Sequence, residues 1–263
     1  MQKQLLILRV YYIEDSMREI EVLGCKMHSI TMEETIEIIE KKIKQGEIPI
    51  KHSVINSAKI VKMLKDPELK KAVESCDIIN IDGIGVVWAA RILGYEVSER
   101  VTGIDLFLNL INICEKKGFS VFLLGGTEEV VKKTAINLKK KHPNLKIVGF
   151  HHGYFWDYEK DLVKSIQQKK PDFIFIGIST PKKEKFIARW GNILGAKFIM
   201  GVGGSFDVIA GKVKRAPKWV QRLGLEWFYR FLQEPKRMWK RAFIYNTIFM
   251  WLIVKEIFKS KLR

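Results

Sequence analysis

Asp172-Phe-Ile-Phe-Ile-Gly-Ile-Ser-Thr-Pro-Lys-Lys-Glu-Lys185 decides the fold. Its first half is a continuous apolar run, as a strand requires when both faces of its sheet are covered. Ser179-Thr180-Pro181 closes the run, and a stretch with helical spacing follows over 182–194. The same unit recurs on both sides. Short β-branched runs lie at 52–56, 77–81, 120–124, 146–150 and 197–201, and helical patterns lie at about 57–74, 84–93, 103–117, 127–141 and 158–169. Strict alternation of this kind predicts an α/β fold with a Rossmann-like, doubly wound, mostly parallel sheet. Glu19–His28 adds a small β element, and Thr31 with Glu34 forms a capping box that starts a helix at 32–45.

The 263 residues are 47% hydrophobic and 29% charged, which excludes a disordered or collagen-like chain. A net charge of +17 points to a polyanionic partner: nucleic acid, anionic lipid or a phosphorylated substrate. Cys25, Cys76 and Cys114 are widely spaced, so neither a disulfide framework nor a zinc site is expected, and a reducing cytoplasmic compartment fits. Met1–Tyr12 has a short apolar run broken by Arg9 and no small-residue cleavage site, which is too weak for a signal peptide. Residues 1–18 are read as an N-terminal extension, its first 16 residues being either poorly packed or the product of an early start codon.

In an open α/β sheet, ligands bind beyond the carboxyl ends of the strands. Those positions read Asn56-Ser57, Asp82-Gly83, Gly125-Gly126-Thr127, His151-His152-Gly153, Ser179–Lys183 and Gly201–Ser205. Asp82 is either a helix N-cap or a general base that takes a proton from an attacking hydroxyl. Gly125-Gly126 and Gly203-Gly204 can cradle phosphate on backbone N–H groups, and Gly203 and Gly204 can alternatively just allow tight turns. Lys182, Lys183 and Lys185 crowd a helix start, which the helix dipole disfavours unless an anion compensates. His151 and His152 have no partner at ligand spacing, so no metal is expected there. The chain has no Asp-x-Asp tripeptide, the usual acidic clamp for a metal-bound nucleotide diphosphate. Phosphate charge then falls to Lys, Arg and backbone amides.

A boundary at 211–217 separates an α/β catalytic domain, 19–212, from a basic, aromatic helical appendage, 213–263. Residues 211–263 carry 14 Lys and Arg against three Glu, together with Trp227, Phe228, Phe231, Trp239, Phe243, Phe249, Trp251 and Phe258. The apolar run Ala242–Val254 reaches only ~20 Å and does not span a bilayer of roughly 30 Å. Such a helix either lies on an anionic membrane surface or packs on the main domain. Single-stranded nucleic acid is a poor fit, because 242–254 is too hydrophobic for its groove.

Asp82-Gly-Ile-Gly-Val-Val-Trp-Ala-Ala90, Glu99-Arg-Val-Thr-Gly-Ile-Asp105, His151-His-Gly-Tyr-Phe155, Pro181-Lys-Lys-Glu-Lys185, the stretch Gly201–Pro217 and Leu225-Glu-Trp-Phe-Tyr-Arg-Phe-Leu-Gln-Glu-Pro235 together resemble the WecG/TagA/CpsF glycosyltransferase family. The resemblance runs from about Ile20 to Lys259. It implies an inverting, metal-independent enzyme, without a cofactor, peripheral on the cytoplasmic face of the cell membrane. Its donor would be a UDP-sugar of the N-acetylmannosamine type and its acceptor polyprenyl-diphosphate-linked N-acetylglucosamine, in cell-surface polysaccharide or teichoic acid synthesis. By the same resemblance Asp82 is the base and Arg100 lies near the active site. Arg230 and Arg237 hold diphosphates, and a third arginine of the family falls on Lys240, with Arg241 beside it. Asn56 and Lys183 are implied to face the site, and the glycine pairs 125–126 and 203–204 to contact substrate. Val54 replaces a usual Thr and Lys183 a usual Gln. A cation at 183 keeps a UDP-uronic acid donor open. A non-catalytic membrane adaptor is the other alternative, and the oligomeric state, a homo-oligomer included, is open.

Overall fold

The computed structural model describes residues 11–13 and 17–261, and among these no side chain is described for 11–13, 241, 260 and 261. The strands are β1 (Tyr11–Ile13), β2 (Met17–Val22), β3 (Cys25–His28), β4 (Ile50–Ile55), β5 (Ile78–Ile81), β6 (Ser120–Gly125), β7 (Lys146–His151), β8 (Phe173–Gly177) and β9 (Phe198–Gly201). They form one nine-stranded sheet in the order β1-β2-β3-β5-β4-β9-β8-β6-β7. β1, β2 and β3 pair antiparallel, and every neighbouring pair from β3 onward is parallel. The expected α/β class and mostly parallel sheet are therefore what the chain forms.

Helices cover both faces. They are α1 (Met32–Gln45), α2 (Ser57–Met63), α3 (Pro67–Glu74), α4 (Ile84–Ile92), α5 (Gly103–Lys117), α6 (Glu128–Lys141), α7 (Glu159–Lys169), α8 (Lys182–Trp190), α9 (Ser205–Ile209), α10 (Lys218–Arg222), α11 (Glu226–Gln233), α12 (Pro235–Trp239) and α13 (Asn246–Lys261). The period of two along β8 shows how the cores divide. Phe173 and Phe175 join α1, α5, α6 and α9 in one cluster, whereas Ile174 and Ile176 join α7 and α8 in another. A third cluster packs α2, α3 and α4 against the other half of the sheet. Each fully buried Phe or Ile contributes about 1.5–3 kcal/mol.

Two expected helices differ in extent. The pattern at 57–74 is two helices, because Asp66 caps a new one at Leu69 N and Pro67 occupies its first position. The pattern at 182–194 ends as α8 at Trp190 and continues only as a 3-10 turn, Gly191–Ile193. The expected division after residue 18 lies within β2, which pairs with β1 and buries Met17. Residues 1–10 and 14–16 of the expected extension lie outside the described residues.

Residues 213–263 hold α10 to α13 and a π-helical turn, Lys240–Tyr245. Phe249 and Ile253 of α13 are buried in the cluster of α2 and α4, so one side of this helix packs on the main body. Its other side is bare: Trp251 is 60% and Phe258 64% exposed. Among the described residues no helix is long and apolar enough to cross a membrane.

Beneath β4, His52 Nε2 meets Asn80 Oδ1 at 2.7 Å, and Asn80 Nδ2 donates to Thr35 Oγ1 at 2.9 Å. Burial pushes the His52 imidazole down to about 4, against the opposing effect of Asn80. The unfolded chain takes up this proton near pH 6.5, while the folded chain resists until about pH 4. Stability is therefore expected to fall as pH drops through that window. Urea denaturation of His52→Gln should show a flatter slope between about pH 7 and pH 5 than the parent; an identical slope would place the acid sensitivity elsewhere.

Candidate active site

β4, β5 and β9 lie side by side at the middle of the sheet, and their carboxyl ends open into a cavity of about 370 Å³. Asn56 and Ser57 follow β4 into it, Asp82 and Gly83 follow β5, and Ser205 follows β9. Elements β4 and β5 reach it together because Gly83 has no side chain: a Cβ there would meet Asn56 Cα and Cβ at 3.0 Å. Asn56 is the N-cap of α2, its Oδ1 accepting from Lys59 N at 3.0 Å.

Asp82 is not the cap of α4. That position belongs to Gly83, with no side-chain cap bond, and Asp82 N donates to Ile55 O at 2.8 Å. The carboxylate instead lies by the first residue of α5. A Cβ built on Gly103 would come 3.7 Å from Asp82 Oδ2 and 3.6 Å from Val54 Cγ1. Val54, which stands where the resemblance has a usual Thr, thus lies with the Asp82 carboxylate beside Gly103.

The tail also reaches this cavity: Lys214, Arg215, Glu226, Trp227 and Arg230 line it together with Arg100, which precedes α5. Arg230 rests on Gly204, where a Cβ would fall 2.3 Å from its Nη2, and it lies 3.5 Å from Asp207 Oδ2 and from Glu234 Oε2. Helices α11 and α12 break at Glu234-Pro235, yet Arg237 reaches the same two carboxylates, at 3.1 Å from Asp207 and 2.9 Å from Glu234. Arg237 is 52% exposed against 24% for Arg230, so it stands at the rim. Burial pulls the Arg237 guanidinium down, but Glu234 and Asp207 outweigh it and hold it above its ordinary value. Lys240 is exposed in the π-helical turn, and the side chain of Arg241 is outside the described set.

Several expected site residues lie elsewhere. Gly125 and Gly126 do not line the cavity: a Cβ on Gly125 would meet Gly177 C at 2.5 Å, and Gly126 N donates to Gly177 O at 3.1 Å. The absent side chain of Gly125 lets β6 and β8 approach, and a Cβ on Gly126 would meet Val130 of α6. Gly203 has a φ of +54° and turns the chain beyond β9, while Gly204 serves by admitting Arg230. Lys183 is buried off the cavity; its Nζ lies 2.6 Å from Glu184 Oε1 and donates to Thr180 Oγ1 at 2.7 Å. Lys59 meets the same carboxylate at 2.7 Å. Burial pushes Glu184 up, but these two ammonium groups prevail and hold it well below the usual carboxylate range. Lys183 and Lys185 of α8 are thus compensated by protein carboxylates, since Lys185 also pairs with Asp66 and Glu68, while Lys182 lies over the Trp156 ring. Among the described residues no group of three His, Cys, Asp or Glu is placed to hold a metal ion.

Sequence reasoning did not single out Arg215, Glu226, Asp105 or Asp207. Arg215 and Asp207 stand inside the Gly201–Pro217 motif, but their partners are remote in sequence and no periodicity links them. Arg215 Nη2 contacts both oxygens of Asp105 at 2.7 Å, and Arg100 Nη2 donates to Glu226 Oε2 at 2.9 Å.

The sequence profile of the Glycosyl transferase WecG/TagA/CpsF family matches residues 20–263, which takes in every strand end and every tail arginine described above. The chain belongs to this family. It is 37% identical over 207 residues to the N-acetylglucosaminyldiphosphoundecaprenol N-acetyl-beta-D-mannosaminyltransferase of Bacillus subtilis (strain 168), covering 78% of this chain and 80% of that protein. A Staphylococcus aureus (strain MW2) protein of the same name is 33% identical over 244 residues, 92% of this chain and 95% of the relative. As a WecG/TagA/CpsF member the chain is a glycosyltransferase.

Proposed function

We propose that the chain transfers N-acetylmannosamine from its UDP conjugate to a polyprenyl-diphosphate-linked N-acetylglucosamine, with Asp82 as general base. The names of the relatives support the sugar and the acceptor. The observation that carries the mechanism is one cavity lined by the Asp82 carboxylate together with Arg100, Arg215 and Arg230. Asp82 accepts the proton of the acceptor hydroxyl as that oxygen attacks C1 of the donor sugar; the bond from C1 to the β-phosphate oxygen breaks and UDP leaves. Arg230, with Arg237 at the rim, meets the charge that grows on the departing phosphate. Asn56 keeps its amide nitrogen for a sugar or base, because its carbonyl oxygen caps α2. The case for a uronic acid donor rested on a cation awaiting a carboxylate at 183, and Glu184 already supplies that carboxylate.

A UDP-release screen of several UDP-sugars against a short-chain acceptor analogue tests this reading. UDP-N-acetylmannosamine should give acceptor-dependent release well above UDP-N-acetylglucosamine and a UDP-uronic acid. Preference for the uronic acid would overturn the donor assignment.

The same proposal includes a peripheral seat on the anionic, cytoplasmic face of the membrane, supported by the basic tail and by bare aromatics on α13. Sedimentation with anionic vesicles should drop for the double variant Trp251→Ser with Phe258→Ser, both changes lying outside the core. Undiminished binding would show that α13 is not the contact.

A further inference from the structure

Both substrates of the proposed reaction carry a diphosphate, and the arginines at the cavity fall into two groups: Arg230, paired with Arg237 outside the lining, and Arg100 with Arg215. Arg230 and Arg237 share Asp207 and Glu234 beyond the end of β9. Arg100 and Arg215 share Glu226, one turn of α11 before Arg230: Arg100 Nη2 is 2.9 Å from Oε2, and Arg215 Nε is 3.6 Å from Oε1. That Nε is buried and has no hydrogen-bond partner, an incomplete state for a guanidinium already fixed by Asp105 through its other edge. Asp105 is in turn bonded by Thr102 Oγ1 at the start of α5. Arg215 is therefore held from behind, with a donor left over beside Glu226.

We infer that Arg100 and Arg215 form a second diphosphate seat, occupied in the free protein by the Glu226 carboxylate, and that it takes the diphosphate of the lipid-linked acceptor. This rests on the proposed transferase reading. A carboxylate lodged between two guanidiniums marks a place whose charge and geometry suit an anion, and a diphosphate presents more oxygens to the same donors. The surroundings assign the seat to the acceptor. Glu226 sits between Leu225 and Trp227; Trp227 and Trp88 both line the cavity and are 36% and 55% exposed, and Leu223 nearby is 57% exposed. A prenyl chain leaving this seat meets bare apolar side chains, whereas Arg230 and Arg237 are bound to the Asp207 carboxylate beyond β9. Arg215 is on this account a substrate-binding residue, and Asp105 a positioning residue acting through it.

The test titrates wild type, Arg215→Gln and Arg230→Gln separately with UDP and with farnesyl diphosphate, following tryptophan fluorescence. Losing one charged phosphate contact should weaken farnesyl diphosphate binding to Arg215→Gln by about tenfold or more, with UDP binding little changed. Arg230→Gln should show the reverse. Equal weakening of both ligands in Arg215→Gln, unchanged farnesyl diphosphate binding by that variant, or none by the wild type would overturn the inference. Should Arg215→Gln fail to fold, Arg215→Lys, which keeps the partner of Asp105 but loses the planar fork, is read by the same comparison. Because the readout is binding, a wild type that takes both ligands separately yet transfers no sugar would refute the transferase reading and leave the second seat standing.

Discussion

Asp82→Asn is expected to lower turnover by about 10²–10⁴-fold, the usual weight of a positioned proton transfer. The substitution keeps the shape of the side chain and its place beside Gly103, so folding and UDP affinity should survive. What disappears is the ability to accept a proton while the acceptor oxygen bonds to the sugar. The loss should therefore fall on kcat, and it should shrink for an acceptor analogue whose hydroxyl is more acidic, since less help is then needed. Near-normal turnover in a folded variant would remove Asp82 from the mechanism and leave its position at the N-terminus of α5 as a structural matter.

Arg230→Ala is expected to cost roughly 10²-fold or more in turnover, on the scale of removing a donor aimed at developing charge. Its effect on rate should exceed its effect on UDP affinity, because the β-phosphate gains charge only as the sugar leaves. Gly204→Ala supplies an independent version of the same experiment. A methyl group at 204 would occupy the place of the guanidinium, 2.3 Å from Nη2, and would push Arg230 away without altering any charge. The two variants should fall together. If Gly204→Ala retains full rate, the position of Arg230 is not what matters. Transfer should also persist in excess EDTA; restoration by Mg²⁺ after EDTA inactivation would assign the diphosphate charge to a metal.

The sheet was legible because its strands are buried on both faces and read as unbroken apolar runs, as at Phe173–Gly177. Asp82 and Asn56 stood out because an open α/β sheet puts chemistry at strand ends, whereas Arg230, on α11 of the tail, stood out only through the family resemblance. The helix break at Asp66-Pro67 was also written in the sequence, as a cap followed by proline, and continuous helical spacing across it hid the signal. Glycine was ambiguous. Gly125 and Gly204 look alike in sequence, but one lets two strands meet and the other makes room for an arginine 26 residues away. Ion pairs were the least legible: Arg100 and Glu226 are 126 positions apart, and buried Glu184 gathers Lys183 from its own helix and Lys59 from α2. Such partners are chosen by packing, which no local pattern records. The cation of Lys183 looked available for substrate only because Lys59 and Glu184 could not be seen beside it.

The central claim is one displacement at one cavity, with Asp82 as base and UDP as leaving group, and the configuration of the new glycosidic bond tests it most directly. Proton NMR of the product formed from UDP-N-acetylmannosamine and the acceptor analogue should show an anomeric centre inverted relative to the donor. Retention would require a second displacement through a nucleophile that this mechanism does not contain, and would contradict it.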